Sequence, residues 1–152
     1  MAADTTDPNR SAHEPARSSD DPADTTTVYE LVGGADAFVE LVDRFYEGVE
    51  VDELLRPLYP EDLAPGKHAL AMFFVQYWGG PRLYEAERGH PMLRRRHAPF
   101  EVTHDGALRW AHHMAAAIRS MEFASAAEFA LLDYVVRFTP SMINTFEDPP
   151  TI

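Results

Sequence analysis

The stretch Leu93 to Trp110, L-R-R-R-H-A-P-F-E-V-T-H-D-G-A-L-R-W, decides how this chain is read. His97 follows three arginines and precedes Ala98, Pro99 and Phe100. Proline lacks a backbone donor and restricts the residue before it, so Pro99 limits any helix that carries His97. The pattern predicts a short helix from about Pro91 to His97 and a new one opening near Thr103 that carries Trp110. His97 therefore stands at the end of a short helix, beside a turn and aromatic residues. That position suits a ligand to a metal or cofactor, and it is equally open to an inert histidine.

Working outward, the 152 residues suffice for one domain with a real core. Apolar residues make up 45%, with nine Phe, six Tyr and two Trp, which is globular material. No apolar run reaches the roughly 18 residues that a membrane helix needs, so no membrane association is expected. The absence of cysteine excludes a disulfide framework, thiolate catalysis and Cys-based metal sites. It leaves His, Asp, Glu, Tyr and Met as metal ligands and suits a cytoplasmic protein. A formal net charge of −12 argues against nucleic acid as a partner, because phosphate binding needs a basic footprint.

Residues 1–26 hold six acidic and two basic side chains and no aromatic or branched aliphatic residue. Such a segment buries too little apolar surface to offset its ordering entropy and is expected to be a disordered acidic tail. The ordered domain is expected over 27–148, with a short C-terminal tail at 149–152. Val28 to Val32 form an apolar turn ended by Gly33 and Gly34. From Ala35 to Val49, Phe38, Leu41, Val42, Phe45, Tyr46 and Val49 recur at spacings of three and four, the mark of one helix face. Pro60 breaks a short segment, and Pro65 opens a helix that runs to about Trp78 and is apolar almost all round. Such a helix is buried on both sides or lines something large and apolar. Gly79-Gly80-Pro81 stops it, and residues 82–92 read as a loop with a helical turn. Thr103 to Met121 reads as a long helix with Leu108, Ala111, Ala115 and Ile118 inward. Ser125-Ala-Ala-Glu128 reads as a capping box opening the last helix, whose apolar positions are Phe129, Leu132, Val135, Val136 and Phe138. Pro140 is expected to bend or interrupt it. The pattern is all-α, with five or six helices and no internal repeat.

Phosphate-binding glycine loops, dinucleotide fingerprints and the His-Glu-x-x-His pattern are absent. The seven histidines invite a metal-cluster reading built from His90, His97, His112 or His113 with carboxylates. Adjacent His112 and His113 diverge by about 100° on a helix and do not easily face one site. His68, His90 and His104 lie near helix starts and loops, where solvated histidine is ordinary. A run of three arginines is most often a solvated face, and otherwise pairs with anionic cofactor groups. A helical interaction module that uses the acidic tail as its arm is a further reading of the same residues.

A set of ordered motifs narrows these alternatives. Gly33-Gly34, Arg44-Phe45-Tyr46, Tyr59-Pro60-Glu61-Asp62, Gln76-Tyr77-Trp78-Gly79-Gly80-Pro81, Arg88-Gly89-His90-Pro91 and Arg96-His97-Ala98-Pro99-Phe100 follow one another, with Trp110 beyond them. From about Tyr29 to Phe146 the chain resembles the truncated haemoglobins of group II. The resemblance implies a shortened globin, two helices over two, around haem b (iron protoporphyrin IX). It implies His97 as the iron ligand, its other N–H held by a backbone carbonyl. Tyr46, Tyr59 and Trp110 would surround the sixth position as hydrogen-bond donors to a partly negative O₂. Leu70 would point toward the iron, and the small Gly66, one turn earlier, would open a route for ligands. Phe73, Phe100 and Met114 would pack on the ring, and Arg96 or Tyr84 would reach a propionate. The implied ligands are O₂, NO, CO and similar small molecules, in a monomer or homodimer. The implied redox chemistry is NO dioxygenation or a peroxidase-like reaction, sustained by an unidentified reductase. Fold alone does not fix such activities. The rivals are a haem-free interaction module and a non-haem metal protein using His90, His97 and His112.

Overall fold

The apolar face between Ala35 and Val49 becomes the centre of the molecule. A computed structural model describes residues 26–146. Within it, α1 (Val28–Val32) leads into α2 (Ala35–Glu50), which buries Phe38, Leu41, Val42, Phe45, Tyr46 and Val49. Each such side chain contributes about 1.5–3 kcal/mol on burial, which makes α2 the main hydrophobic organiser. A 3₁₀ turn (Arg56–Leu58) follows, then α3 (Ala64–Tyr77), α4 (Leu83–Arg88), α5 (Leu93–His97), α6 (His104–Ser120) and α7 (Ser125–Ser141). Thr27 and Thr103 cap α1 and α6, their hydroxyls accepting from the Glu30 and Gly106 amides.

Packing joins these helices in two layers. The α2 helix lies along α3, α6 lies along α7, and α2 crosses onto α6, while α1 touches both α2 and α7. This is the all-α, two-over-two arrangement expected from the sequence. The turn that ends α3 is where α1 is fastened. The Tyr29 amide donates to the Trp78 carbonyl at 3.0 Å. A Cβ on Gly80 would lie 2.7 Å from the Tyr29 ring and from the Val75 carbonyl oxygen, so only glycine admits that approach.

Several details differ from the sequence reading. The described residues hold seven α-helices rather than five or six, because α1 and α4 are too short to show a period. In α6 the buried set is Gly106, Ala107, Met114, Ala117 and Ile118, whereas Leu108 is 55% exposed. Alanines let α6 approach its neighbours closely, and that contact decides the register over the larger leucine. In α7 the inward stripe is Ala127, Leu131, Val135 and Thr139, spaced by four, and Phe129 and Val136 face outward. Ser125 is the first helical residue rather than the cap, and Ala124 precedes it with no side-chain bond, so the capping box does not form. Pro140 lies inside α7, which continues to Ser141. The bond it forfeits belongs to the Val136 carbonyl, on the exposed side where water can take its place. The expected tails lie outside the described residues, apart from Thr26.

Candidate functional site

His97 closes α5, a helix of five residues that enters through Met92 in the left-handed region (φ 42°). Its Nδ1 lies 2.6 Å from the Leu93 carbonyl oxygen. A carbonyl only accepts, so Nδ1 carries the proton and a neutral ring keeps its lone pair on Nε2. The mount is held from outside. Asn144 donates through Nδ2 to the carbonyls of His97 (3.1 Å) and Phe100 (2.8 Å), and its Oδ1 accepts from the Val102 amide at 2.8 Å. Nothing in the sequence pattern pointed to Asn144, because it lies far along the chain from the helix it ties.

Arg96 braces the other end. Its Nε donates to the Pro91 carbonyl, and its Nη2 donates to the carbonyls of Arg88 and His90. Its guanidinium also lies 5.6 Å from the centroid of the buried Tyr84 ring. The residue expected to meet an anionic cofactor edge is thus engaged mainly with backbone. Arg94 and Arg95 are exposed on the same helix.

A second group gathers where α2, the Tyr59 turn and α6 meet. The Tyr46 ring packs edge-on against Phe45 at 5.3 Å and Tyr59 at 5.7 Å, and Phe45 meets Trp110 at 5.2 Å. Burial pushes the Tyr46 phenol up to about 12. Burial raises Tyr59 as well, with the neighbouring Tyr46 adding to the rise and hydrogen bonding to Trp110 offsetting part of it. Both phenols therefore keep their protons near neutral pH and can donate. Arg56 fixes the turn that carries Tyr59 by donating to the carbonyls of Tyr59, Pro60 and Glu61. A Cβ on Gly66 would lie 2.8 Å from the Tyr46 hydroxyl. The room beside Gly66 is taken up by that hydroxyl, so it is not the open ligand route expected from its small size.

Between α3, α5 and α7 lies a cavity of about 780 Å³, with Phe73, Trp78, Leu93, Tyr134 and Phe138 among its walls and Arg94 at one side. Its volume falls in the range of small-molecule and cofactor sites. The Trp78 indole N–H beside it is buried and has no partner among the described residues. His97 is not a wall residue but stands one helical turn on from Leu93. Trp110 connects to the wall through Phe138, at 6.1 Å. Of the other expected contacts, Met114 is fully buried and Leu70 is partly buried against the same core. Phe100 is 61% exposed and packs on neither group.

Residues 27–144 match the family described as bacterial-like globin. The chain belongs to that family. It is 46% identical over 82 residues to the group 2 truncated hemoglobin YjbI of Bacillus subtilis (strain 168), covering 54% of this chain and 61% of that protein. It is 39% identical over 100 residues to the group 2 truncated hemoglobin 3-1 of Lotus japonicus, covering 62% and 58%. The chain thus spans about three-fifths of the length of these curated relatives. Among solved structures, the thermostable hemoglobin of Thermobifida fusca superposes with a TM-score of 0.77 at 45% identity, covering 79% of this chain and 98% of that one.

One further cluster in this globin is structural. Asp52, buried after α2, accepts from the Leu54 and Leu55 amides, from Arg109 Nη1 at 3.2 Å and from His113 Nε2 at 2.7 Å. The His113 bond does most to hold the Asp52 carboxyl well below the usual carboxylate range, with the two amides and Arg109 adding to it against the cost of burial. His113 is seated directly over Gly48, whose missing Cβ makes the space. Elsewhere His68 pairs with Glu87, and exposed His90 lies near Glu85. Among the described residues, no three His, Asp or Glu side chains are placed to hold a metal ion. The non-haem reading therefore loses its ligand set. No helix among them is long and apolar enough to cross a membrane.

Proposed function

We propose that this truncated globin binds haem b through His97 and takes O₂, NO or CO at a site served by Tyr46, Tyr59 and Trp110. The observation that carries the reading is the Nδ1 contact of His97 with the Leu93 carbonyl, which fixes the ring and, in its neutral form, leaves the lone pair on Nε2. The residues present fit the group. A large, mainly apolar cavity, an arginine at one side and an unpartnered indole N–H suit a broad flat ring with an acidic edge.

Haem, when bound, supplies the redox-active iron and the open coordination position. The chain's own residues then do three things. His97 is oriented by Leu93, Asn144 and Arg96. The two phenols and the indole supply donors where negative charge develops on a diatomic ligand, and they are already oriented, so they cost little reorganisation. The aromatic packing around them excludes water and strengthens each hydrogen bond. Such donors slow O₂ release, which favours ligand chemistry or storage over simple transport. Redox turnover requires an external electron donor, and NO oxidation and peroxide reduction are the two reactions we propose for it. The location we propose is the cytoplasm, in keeping with an acidic, cysteine-free chain.

The deciding measurement is the absorption spectrum of the purified protein. An intense band at the blue edge of the visible that is lost in His97→Ala supports the assignment. A colourless protein that takes up no added haemin overturns it.

A further inference from the structure

Asp52 stands where α2 gives way to the segment that carries Tyr59. Its Oδ1 accepts from the Leu54 and Leu55 amides at 2.9 and 3.0 Å, and its backbone carbonyl accepts from the Arg56 amide at 2.9 Å. The residue thereby shapes the first turn of that segment. Its carboxylate also reaches across to α6, where Arg109 Nη1 lies 3.2 Å from Oδ1 and His113 Nε2 lies 2.7 Å from Oδ2. Arg109 and His113 are four residues apart and share one face of α6, while Trp110 lies about 100° round the helix from Arg109. Tyr59 in turn is hydrogen bonded to Trp110. Two bridges thus span the same gap between the Tyr59 segment and α6, one at the ligand donors and one behind them.

Arg56 donates only to carbonyls of its own segment, so it shapes the segment without attaching it. Among the described residues, it is Asp52 that adds side-chain hydrogen bonds to α6 beyond the one Tyr59 makes. Stability alone does not ask for this chemistry. The Asp52 side chain is 4% exposed, and a buried carboxylate, even when paired, gains no more than an apolar side chain of the same volume. What a buried ion pair supplies is direction. A carboxylate ringed by two amides, a guanidinium and an imidazole holds one register, where apolar packing tolerates several.

We propose that Asp52, Arg109 and His113 form a positioning clamp that sets the Tyr59 hydroxyl beside the ligand and so tunes how strongly that donor holds it. The proposal rests on the haem and ligand reading above. The three residues act through Tyr59 rather than on the ligand. His113 is itself held by space, because it sits over Gly48, where a Cβ would overlap Nδ1 and come within 2.9 Å of Cγ.

The test uses the carbon monoxide complex of the haem-loaded full chain, whose C–O stretch in the infrared falls as a donor near the oxygen strengthens. His113→Ala is expected to move that band to higher frequency and to raise the O₂ dissociation rate roughly three- to tenfold, the size of one weakened hydrogen bond. His113→Gln keeps an N–H where Nε2 stood and is expected to restore both. In a Tyr59→Phe background, with no hydroxyl to misplace, His113→Ala is expected to change neither. If His113→Ala does not fold, Gly48→Ala supplies the same displacement by crowding the imidazole and removes no group. A lowered urea midpoint with an unmoved band and rate overturns the clamp and leaves the cluster a stabilising one. So does an effect that persists undiminished in the Tyr59→Phe background. A wild-type band indifferent to both Tyr59→Phe and Trp110→Phe overturns the donor reading and the clamp together. A chain that takes up no haem overturns the haem reading beneath them.

Discussion

Gly66→Ala is the substitution whose outcome the geometry fixes most tightly. Gly66 lies in the first turn of α3, and a Cβ there would stand 2.8 Å from the Tyr46 hydroxyl oxygen and 3.8 Å from its Cζ. The first distance is shorter than real Cβ contacts, and the second is ordinary. Tyr46 cannot swing clear cheaply, because it is 4% exposed and wedged between Phe45 and Tyr59. Overpacking of this kind costs about 1–3 kcal/mol. Against it stands the helix preference of Ala over Gly, at most about 1 kcal/mol and less near a helix start. The single variant should therefore be destabilised by about 1–2 kcal/mol. In a Tyr46→Phe background the offending oxygen is gone, only the ordinary contact remains, and the same change should be neutral or stabilising by up to about 1 kcal/mol. The double-mutant cycle thus predicts a coupling of about 1–3 kcal/mol, with a change of sign. Urea unfolding followed by far-ultraviolet circular dichroism, at matched haem content, measures all four corners. Additive effects would refute the claim that the Tyr46 hydroxyl occupies the space beside Gly66.

Trp110→Phe removes one donor from the ligand site and should raise the O₂ dissociation rate in stopped-flow displacement by CO; an unchanged rate would make Trp110 a packing residue only. The depressed Asp52 carboxyl stabilises the fold fully above the ordinary aspartate value of 3.8, and that contribution fades as pH falls below it. The gap in urea midpoint between wild type and Asp52→Asn should accordingly be wide near neutral pH and narrow in acid, and a gap independent of pH would count against the His113 and Arg109 contacts. Asn144→Ala removes the bonds that tie the α5 carbonyls, at a cost of about 1–2 kcal/mol. In the haem-loaded protein it should shift and broaden the iron–histidine stretch in resonance Raman spectra, while an unmoved band would show that Leu93 alone orients the ring.

What the sequence made legible follows from where the determining forces act. The α2 face was readable because six large apolar side chains share one period, and the start of α6 near Thr103 was readable because Pro99 closes the segment before it. The α6 and α7 registers were misread at Leu108, Phe129 and Val136 because helix approach favours small residues, and hydrophobicity scales do not record which face a neighbour demands. The site divides in the same way. The short His97 helix was visible between its prolines, and the Leu93 contact is one helical turn long. Tyr46, Tyr59 and Trp110 are separated along the chain, and only the ordered family motifs brought them together before the structure did. Asn144 was invisible for want of either signal. Its partners Val102, Phe100 and His97 lie more than forty residues away, and asparagine carries no period.

The two sides of the proposed site are consequently built from different materials. The ligand-facing side belongs to the hydrophobic core, since Phe45 and Tyr46 are buried on the longest apolar face in the chain. The His97 side is a helix of five residues, below the length at which helices hold themselves in water. It persists because Arg96 and Asn144 bond to carbonyls on either side of it and because Leu93 fixes the imidazole. The fold thus holds the proposed ligand donors by burying them, whereas it positions the His97 imidazole, the proposed iron ligand, through a few hydrogen bonds. Changes confined to those bonds would alter the orientation of the His97 imidazole without disturbing the core.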